Sequence, residues 1–130
     1  NAPDGKYVAR VARWTISGSG EKSSLVPGSE KVLVEWEGER AGQHVGGALL
    51  AHPKERVLYI TTGENNQNAR IKQYCDDPEN KAQSLRDLRG KVLRIGFDGS
   101  IPTNNPHFAT PDALGAIFTR GHRQPCAHAG

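Results

Sequence analysis

The sequence predicts an all-β fold, and three observations support that class. Short segments rich in Val, Ile, Leu, Tyr and Thr recur along the 130 residues. The apolar spacing of an amphipathic helix is almost absent. Turn-forming residues are frequent, with 15 glycines and 8 prolines. About six short strands separated by turns are typical of a β-sandwich, a barrel or a propeller, and composition does not choose among the three.

The strands are predicted where β-branched and aromatic residues cluster between turn signals. In the second of them Val32, Val34 and Trp36 are spaced two positions apart, which places all three on one face. The last two are bounded by turn signals, among them the tight turn predicted at Asp98-Gly99. The predicted strands are residues 7–16, 31–37, 47–51, 57–62, 91–95 and 116–119.

Three connecting segments differ in composition. Residues 17–24 are rich in Ser and Gly and predict a flexible loop. Residues 63–83 are polar and predict a long surface loop, a kind of segment that is usually functional or mobile. Leu85 and Leu88 are three positions apart, which indicates a helical turn over 84–89.

The charge and hydropathy patterns exclude two broad classes of function. Lys and Arg number 17 against 14 Asp and Glu, and a net charge of +3 without a basic block does not favour nucleic acid. No apolar run approaches the roughly 18 residues of a membrane-spanning helix, so no membrane span is expected.

Cysteine and acidic residues do not form a predicted metal site. The cluster Cys75, Asp76, Asp77 and Glu79 lacks the ligand spacing of zinc or EF-hand sites and is interpreted as a solvated loop. The sequence leaves open whether Cys75 pairs with Cys126. Trp14 and Trp36 are predicted in a core between sheets rather than on a carbohydrate platform.

Three segments in order carry a resemblance to a known family. They are residues 42–49 (GQHVGGAL), residues 88–106 (LRGKVLRIGFDGSIPTNNP) and residues 121–125 (GHRQP), and the strand LYITTGE at 58–64 also fits. Together they resemble the soluble pyrroloquinoline-quinone (PQQ) dependent sugar dehydrogenases, the glucose/sorbosone dehydrogenase family. The resemblance covers roughly residues 31–125, and GKVLRI with DGSIP and NP is its most specific part.

The resemblance implies a six-bladed β-propeller with PQQ and calcium at one end of the central channel. Since a propeller repeat takes roughly 40–50 residues, 130 residues hold about one and a half blades. We expect residues 1–130 to be a fragment of a single propeller domain. Its predicted parts are the tail of one blade (about 7–37), the next blade (about 46–120) and the start of another (121–130).

The resemblance also assigns site residues. His44 aligns with the catalytic base, and Arg123 aligns with an arginine that binds PQQ, polarises the reacting carbonyl and contacts substrate. Gln124 takes a cofactor-binding position where relatives usually carry Asn. Gln43, a predicted substrate contact, stands where well-known sugar oxidisers place an aspartate. The calcium ligands are expected outside this chain.

Two functions of different classes follow. The first is oxidation of aldose sugars by hydride transfer to PQQ, with His44 as general base and an external electron acceptor. The alternative is a non-catalytic propeller that binds protein or carbohydrate, in which His44 and Arg123 are relics. The resemblance implies a periplasmic or secreted protein and allows a homodimer. We expect the 130 residues alone to supply only one side of the site.

Overall fold

The computed structural model describes residues 7–38, 44–65 and 80–125, which form three antiparallel sheets. The all-β prediction is confirmed, because these residues contain no α-helix and only one short 3-10 turn, Gly20–Lys22. No helix within them is long and apolar enough to cross a membrane. The strands are β1 (Tyr7–Arg13), β2 (Ile16–Ser17), β3 (Ser24–Leu25), β4 (Lys31–Gly38), β5 (Gly46–His52), β6 (Val57–Thr62), β7 (Lys91–Gly96) and β8 (Ile117–Arg120).

The largest sheet is a four-stranded meander in the order β5-β6-β7-β8. Each strand pairs with the next in sequence, and in the central pair Ile60 lies opposite Leu93. The four strands are those predicted at 47–51, 57–62, 91–95 and 116–119. A four-stranded sheet of this kind forms one blade, and the blade is the repeating unit of a β-propeller. A second sheet pairs β1 with β4, and a third, short one pairs β2 with β3.

The hydrophobic core lies between the meander and the β1-β4 sheet. Ile60, Leu93, Ile95 and Ile117 are at most 1% exposed. Because side chains alternate along a strand, these residues share one face of the meander. Val11, Leu33, Val34 and Trp36 of the β1-β4 sheet pack against that face. The prediction for Trp36 is confirmed.

Two predictions for residues 7–16 were wrong. The strand predicted at 7–16 ends at Arg13, and Trp14 is 42% exposed, outside the core in which it was predicted. The chain turns there and resumes as β2. The loop predicted at 17–24 contains the 3-10 turn and is bracketed by the β2-β3 pair, in which Ile16 lies opposite Leu25. The predicted loop is therefore the connection of a β-hairpin, residues 18–23, and contains a 3-10 turn.

The helical turn predicted at 84–89 is also absent. Here side chains bond to the backbone in place of a helical ladder. The Arg86 amide donates to Ser84 Oγ at 3.1 Å, and the Arg89 amide donates to Asp87 Oδ1 at 2.9 Å. The turn predicted at Asp98-Gly99 is confirmed, with Gly99 at φ 87° and a bond from the Gly96 amide to the Ser100 carbonyl.

A buried arginine closes the end of the meander at which β7 finishes. Arg94 is 6% exposed and donates to Glu55 Oε2 at 2.8 Å and to Asn104 Oδ1 at 2.6 Å. Its guanidinium also lies about 6 Å from the ring centres of Tyr59 and Phe118. The hydrogen bond from Arg94 lowers the pKa of Glu55 below its ordinary value of 4.5.

This ion pair predicts an acid-dependent contribution to stability. A carboxyl with a lowered pKa in the folded state stabilises the fold above the unfolded-state pKa, and the contribution disappears as pH falls through the folded-state pKa. We therefore expect Glu55→Gln to lower the urea midpoint at pH 7. The difference from wild type should shrink as the pH falls through the folded-state pKa of Glu55. Glu21→Gln, in the exposed 3-10 turn, is the control. An equal difference for Glu55→Gln at neutral and acid pH would contradict the prediction.

Candidate active site

The candidate site lies where the segment before β5, residues 44–45, contacts the segment after β6, residues 63–65. We call this contact the crossing. The Gly63 amide donates to the Val45 carbonyl at 3.0 Å, and the Asn65 amide donates to the His44 carbonyl at 3.3 Å. His44 and Asn65 both have left-handed backbones, with φ 56° and 58°. A non-glycine residue adopts that conformation at some cost in energy, and such residues often occur at functional sites. The crossing therefore holds His44 in one defined orientation.

Gly63 is the position that allows the crossing. A Cβ atom placed on it would lie 1.5 Å from the His44 carbonyl oxygen and 3.0 Å from the Arg123 carbonyl oxygen. Both contacts are with backbone atoms, which cannot swing away as a side chain can. Any residue other than glycine must therefore displace the backbone of His44.

Glu64 binds the imidazole of His44. Nδ1 of His44 lies 2.5 Å from Oε1 of Glu64, and the two side chains are only 11% and 4% exposed. A carboxylate accepts hydrogen bonds, so the Nδ1 atom donates and the proton resides there. In the neutral imidazole this tautomer leaves the lone pair of Nε2 to accept a proton, as a general base must.

Arg123 meets the same carboxylate from the other side. Its Nε atom lies 3.9 Å from Glu64 Oε1, and its carbonyl oxygen accepts the Glu64 amide at 3.0 Å. The Arg123 side chain is 67% exposed, in contrast to the buried Glu64. A charged, fork-shaped donor is thus presented at the surface beside His44. Gln124, next in the chain, is also exposed.

The structure therefore brings two of the predicted site residues, His44 and Arg123, onto one carboxylate, with Gln124 adjacent. Gln43 lies outside the described residues, as do Cys75, the acidic residues of its cluster and Cys126. The roles predicted for these residues stay predictions.

The buried floor of the site, formed by Glu64 and Asn65, contains polar atoms that have no hydrogen-bond partner within the part of the chain that the structure describes. Oε2 of Glu64 and both side-chain amide atoms of Asn65 are buried and make no hydrogen bond among the described residues. Each residue is 5% exposed. A buried polar atom without a partner costs roughly 1–3 kcal/mol, so polar groups of a ligand or water would stabilise this floor.

Two roles at the site were not predicted from the sequence. Glu64 was recognised only as the end of a strand motif, and Gly63 was assigned no role. A signal for Glu64 is present, since an acidic residue directly follows a buried strand and a glycine. Pairing it with His44 depends on a crossing between segments 20 residues apart, which the spacing of residues does not reveal.

A cleft lies at the opposite end of the meander, where β6 begins and β7 ends. It has a volume of about 570 Å³ and is lined by Arg13, Arg94 and Asp98, among others. These charged groups already have protein partners; Arg13, for example, donates to the Phe97 carbonyl. Neither His44 nor Arg123 lines the cleft.

The described residues also offer no calcium cradle. Within residues 7–38, 44–65 and 80–125, no three His, Cys, Asp or Glu side chains are grouped closely enough to hold a metal ion. Calcium usually takes six to eight oxygen ligands. The donor set of these residues does not fit calcium.

The donor set does fit a flat, anionic quinone. Arg123 offers an exposed cation that can bind a quinone oxygen or a carboxylate. The Nε2 atom of His44, in the neutral imidazole, offers a proton acceptor near the same carboxylate.

Comparison with known proteins points to one family. The family model for glucose/sorbosone dehydrogenases matches residues 1–129. The chain is 36% identical over 84 residues to the aldose sugar dehydrogenase YliI of Escherichia coli, an alignment that covers 65% of this chain and 19% of that protein. It is 31% identical over 90 residues to the quinoprotein glucose dehydrogenase B of Acinetobacter calcoaceticus, covering 63% and 18%.

A third relative matches over a longer part of the chain. The Hedgehog-interacting protein of Mus musculus is 30% identical over 126 residues, which is 92% of this chain and 17% of that protein. The chain spans about a fifth of the length of each of these three relatives.

The fold also matches solved structures. An oxidoreductase from Thermus thermophilus, described as a glucose dehydrogenase, superposes with a TM-score of 0.64 at 27% identity. The match covers 88% of this chain and 30% of that one. The predicted partial β-propeller is confirmed.

Proposed function

Because the chain belongs to the glucose/sorbosone dehydrogenase family, we propose that its protein is a quinoprotein oxidoreductase that oxidises aldose sugars with PQQ. One observation carries the proposal. The carboxylate of Glu64 contacts both a base, His44, and an exposed cation, Arg123. The similarity to an aldose sugar dehydrogenase and to a quinoprotein glucose dehydrogenase supports the substrate class and the cofactor.

In the proposed reaction His44 removes the hydroxyl proton of the sugar. Glu64 Oε1 holds the Nδ1–H, so the lone pair of Nε2 is left to accept the proton. The positive charge that then forms on the imidazole is stabilised by the carboxylate 2.5 Å away. PQQ, when bound, would supply the acceptor for the hydride on the carbon that carries this hydroxyl, so the sugar would lose one proton and one hydride in all.

Arg123 binds the cofactor in this proposal. A guanidinium donates in a planar fork that matches a carboxylate or a quinone oxygen. Negative charge that develops on such an oxygen is stabilised by a donor that is already in place. Gln124 would add an amide contact to the cofactor, and Gln43 a contact to the sugar. Calcium would be bound by residues outside this chain.

The remaining parts of the proposal concern the whole protein. We propose a periplasmic or secreted location, an external electron acceptor that reoxidises the cofactor, and a homodimer as one possible assembly. The similarity to Hedgehog-interacting protein supports the alternative of a non-catalytic binding propeller. The paired His44 and Glu64 favour the dehydrogenase.

PQQ titration followed by absorbance, with calcium present, tests the proposal. It is made on the 130-residue chain and on a hybrid enzyme, defined as the E. coli aldose sugar dehydrogenase with this chain in place of its matching segment. We expect the hybrid enzyme to bind PQQ saturably, and Arg123→Ala to weaken binding about tenfold or more. Arg86→Ala is the control, since its side chain is similarly exposed (72%) and pairs with Asp112.

Two results would contradict the proposal. If neither the chain nor the hybrid enzyme binds PQQ, the non-catalytic propeller becomes the better interpretation. If Arg123→Ala and Arg86→Ala bind PQQ equally well, the cofactor role of Arg123 is wrong. Binding by the hybrid enzyme but not by the chain would support the expectation that this chain supplies one side of the site.

A further inference from the structure

The largest fully buried side chain among the described residues is a lysine. Lys91 is the first residue of β7 and is 0% exposed. Its ammonium donates to three carbonyl oxygens, those of Lys81 at 2.8 Å, Ala82 at 3.0 Å and Arg89 at 2.5 Å. Burying a charged group costs free energy unless the group is paired or fully hydrogen-bonded. The three carbonyl oxygens therefore compensate for the loss of water around the Lys91 ammonium.

The three carbonyls belong to the two ends of one irregular segment, residues 80–90. This segment contains no strand and no helix. Its internal backbone bonds are few, for example from the Gln83 and Ser84 amides to the Asn80 carbonyl. The Lys91 ammonium gathers both ends, at Lys81-Ala82 and at Arg89, around one charge. The ammonium therefore satisfies backbone carbonyls of this segment that a helix or a sheet would otherwise satisfy.

The same segment holds the backbone that leads to Arg123. The Gly121 amide donates to the Ala82 carbonyl at 2.8 Å, so that oxygen receives both Gly121 and the Lys91 ammonium. The His122 amide donates to the Gly90 carbonyl at 3.1 Å. From the other side, the Arg123 carbonyl accepts the Glu64 amide. The chain at 121–123 is thus clamped between segment 80–90 and the end of β6.

We propose that Lys91 is a positioning residue for Arg123, and that its buried ammonium fixes segment 80–90 so that residues 121–123 present the Arg123 guanidinium beside His44. Lys91 reaches no ligand itself, because its side chain is fully buried. The role of Arg123 in this inference rests on the proposed function, whereas the clamp on residues 121–123 does not. His44 is held chiefly by its own bonds with the segment 63–65, and segment 80–90 reaches that crossing through one bond, from the Gly90 amide to the Gly63 carbonyl at 2.9 Å.

Amide hydrogen exchange on the 130-residue chain tests the clamp. We expect Lys91→Met to speed exchange at Gly121, His122 and Glu64 by at least about tenfold, with little change at Ile60 and Leu93 of the core strands. Lys54→Met, at an exposed turn of the same sheet, is the control and should leave all these amides unchanged. Equal acceleration at site and core amides would mean a purely global role and would overturn the inference.

A measurement on the wild-type chain covers the case in which Lys91→Met does not fold. At low denaturant, the amides of Gly121 and His122 should exchange through the same opening as those of Gln83 and Gly90, with one shared denaturant slope. This opening should require less free energy than the opening that exposes the amides of Ile60 and Leu93. Independent opening of His122 and Gln83 would overturn the inference.

The hybrid enzyme gives the readout that separates positioning from stability alone. We expect Lys91→Met to weaken PQQ binding about tenfold, while the rate at saturating PQQ stays within about threefold of the parent. Equal loss of affinity in Lys54→Met, or a lost rate with unchanged affinity, would overturn the assignment to Arg123. If no variant binds PQQ, the proposed function fails, and the exchange experiments still decide whether Lys91 clamps residues 121–123.

Discussion

Replacing Gly63 with alanine is expected to lower the free energy of unfolding by about 3 kcal/mol or more. The new methyl group would lie 1.5 Å from the His44 carbonyl oxygen, less than half of a normal contact distance. Both segments of the crossing are fixed by backbone bonds at 3.0 and 3.3 Å, so relief requires breaking at least one of them. Because the bond from Asn65 ends on His44, the imidazole should move with the backbone.

Urea unfolding of Gly63→Ala and Gly115→Ala measures the effect. Gly115 is the matched control, because its added Cβ would meet the side-chain Cγ2 of Ile101 at 3.2 Å rather than backbone. A flexible side chain can give way, so we expect Gly115→Ala to change stability by less than about 1.5 kcal/mol. Equal urea midpoints for the two variants would show that the crossing adapts and that Gly63 does not fix His44.

The second large effect is expected on the chemical step. In the hybrid enzyme, His44→Asn should lower the rate of sugar oxidation at saturating PQQ about 10²–10⁴-fold, the usual contribution of a general base. Asparagine keeps a polar group near Glu64 but cannot take a proton from the sugar. PQQ affinity should hardly change, since Arg123 is the predicted cofactor contact.

Two further variants make this result specific. Glu64→Gln should give an intermediate loss of about 10–100-fold, because an amide can present either its oxygen or its NH₂ group to Nδ1 and no longer fixes the tautomer. His52→Asn, at the far end of β5, should leave the rate unchanged. An unaltered rate in His44→Asn would refute the base assignment, whatever the Glu64 variant does.

Much of the blade could be predicted from residue alternation. In β6 and β7, Ile60 and Leu93 lie opposite each other on the buried face, as a period of two requires. The tight turn followed from Asp98-Gly99, whose chemistry is local. The predictions failed where polar side chains compete for the backbone. At Ser84 and Asp87, side-chain oxygens bond the amides two residues on, and two leucines at helical spacing could not reveal this.

The site could be predicted only in part, for a related reason. His44 and Arg123 stand in motifs that the family resemblance identifies. Their meeting on Glu64 and the clamp around Lys91 depend on contacts between distant segments. A lysine at the start of a strand looks like a surface residue in the sequence. Only the fold shows that its ammonium is enclosed by carbonyls.

The carboxylate shared by His44 and Arg123 has a consequence for how this site can change over generations. Oε1 of Glu64 lies 2.5 Å from one partner and 3.9 Å from the other, so substitutions at the three positions cannot act independently. A substitution at position 64 changes the effect that substitutions at positions 44 and 123 have on the protein. Variants of this protein are therefore expected to show epistasis among these positions, which would be retained together or lost together as the lineage diverges.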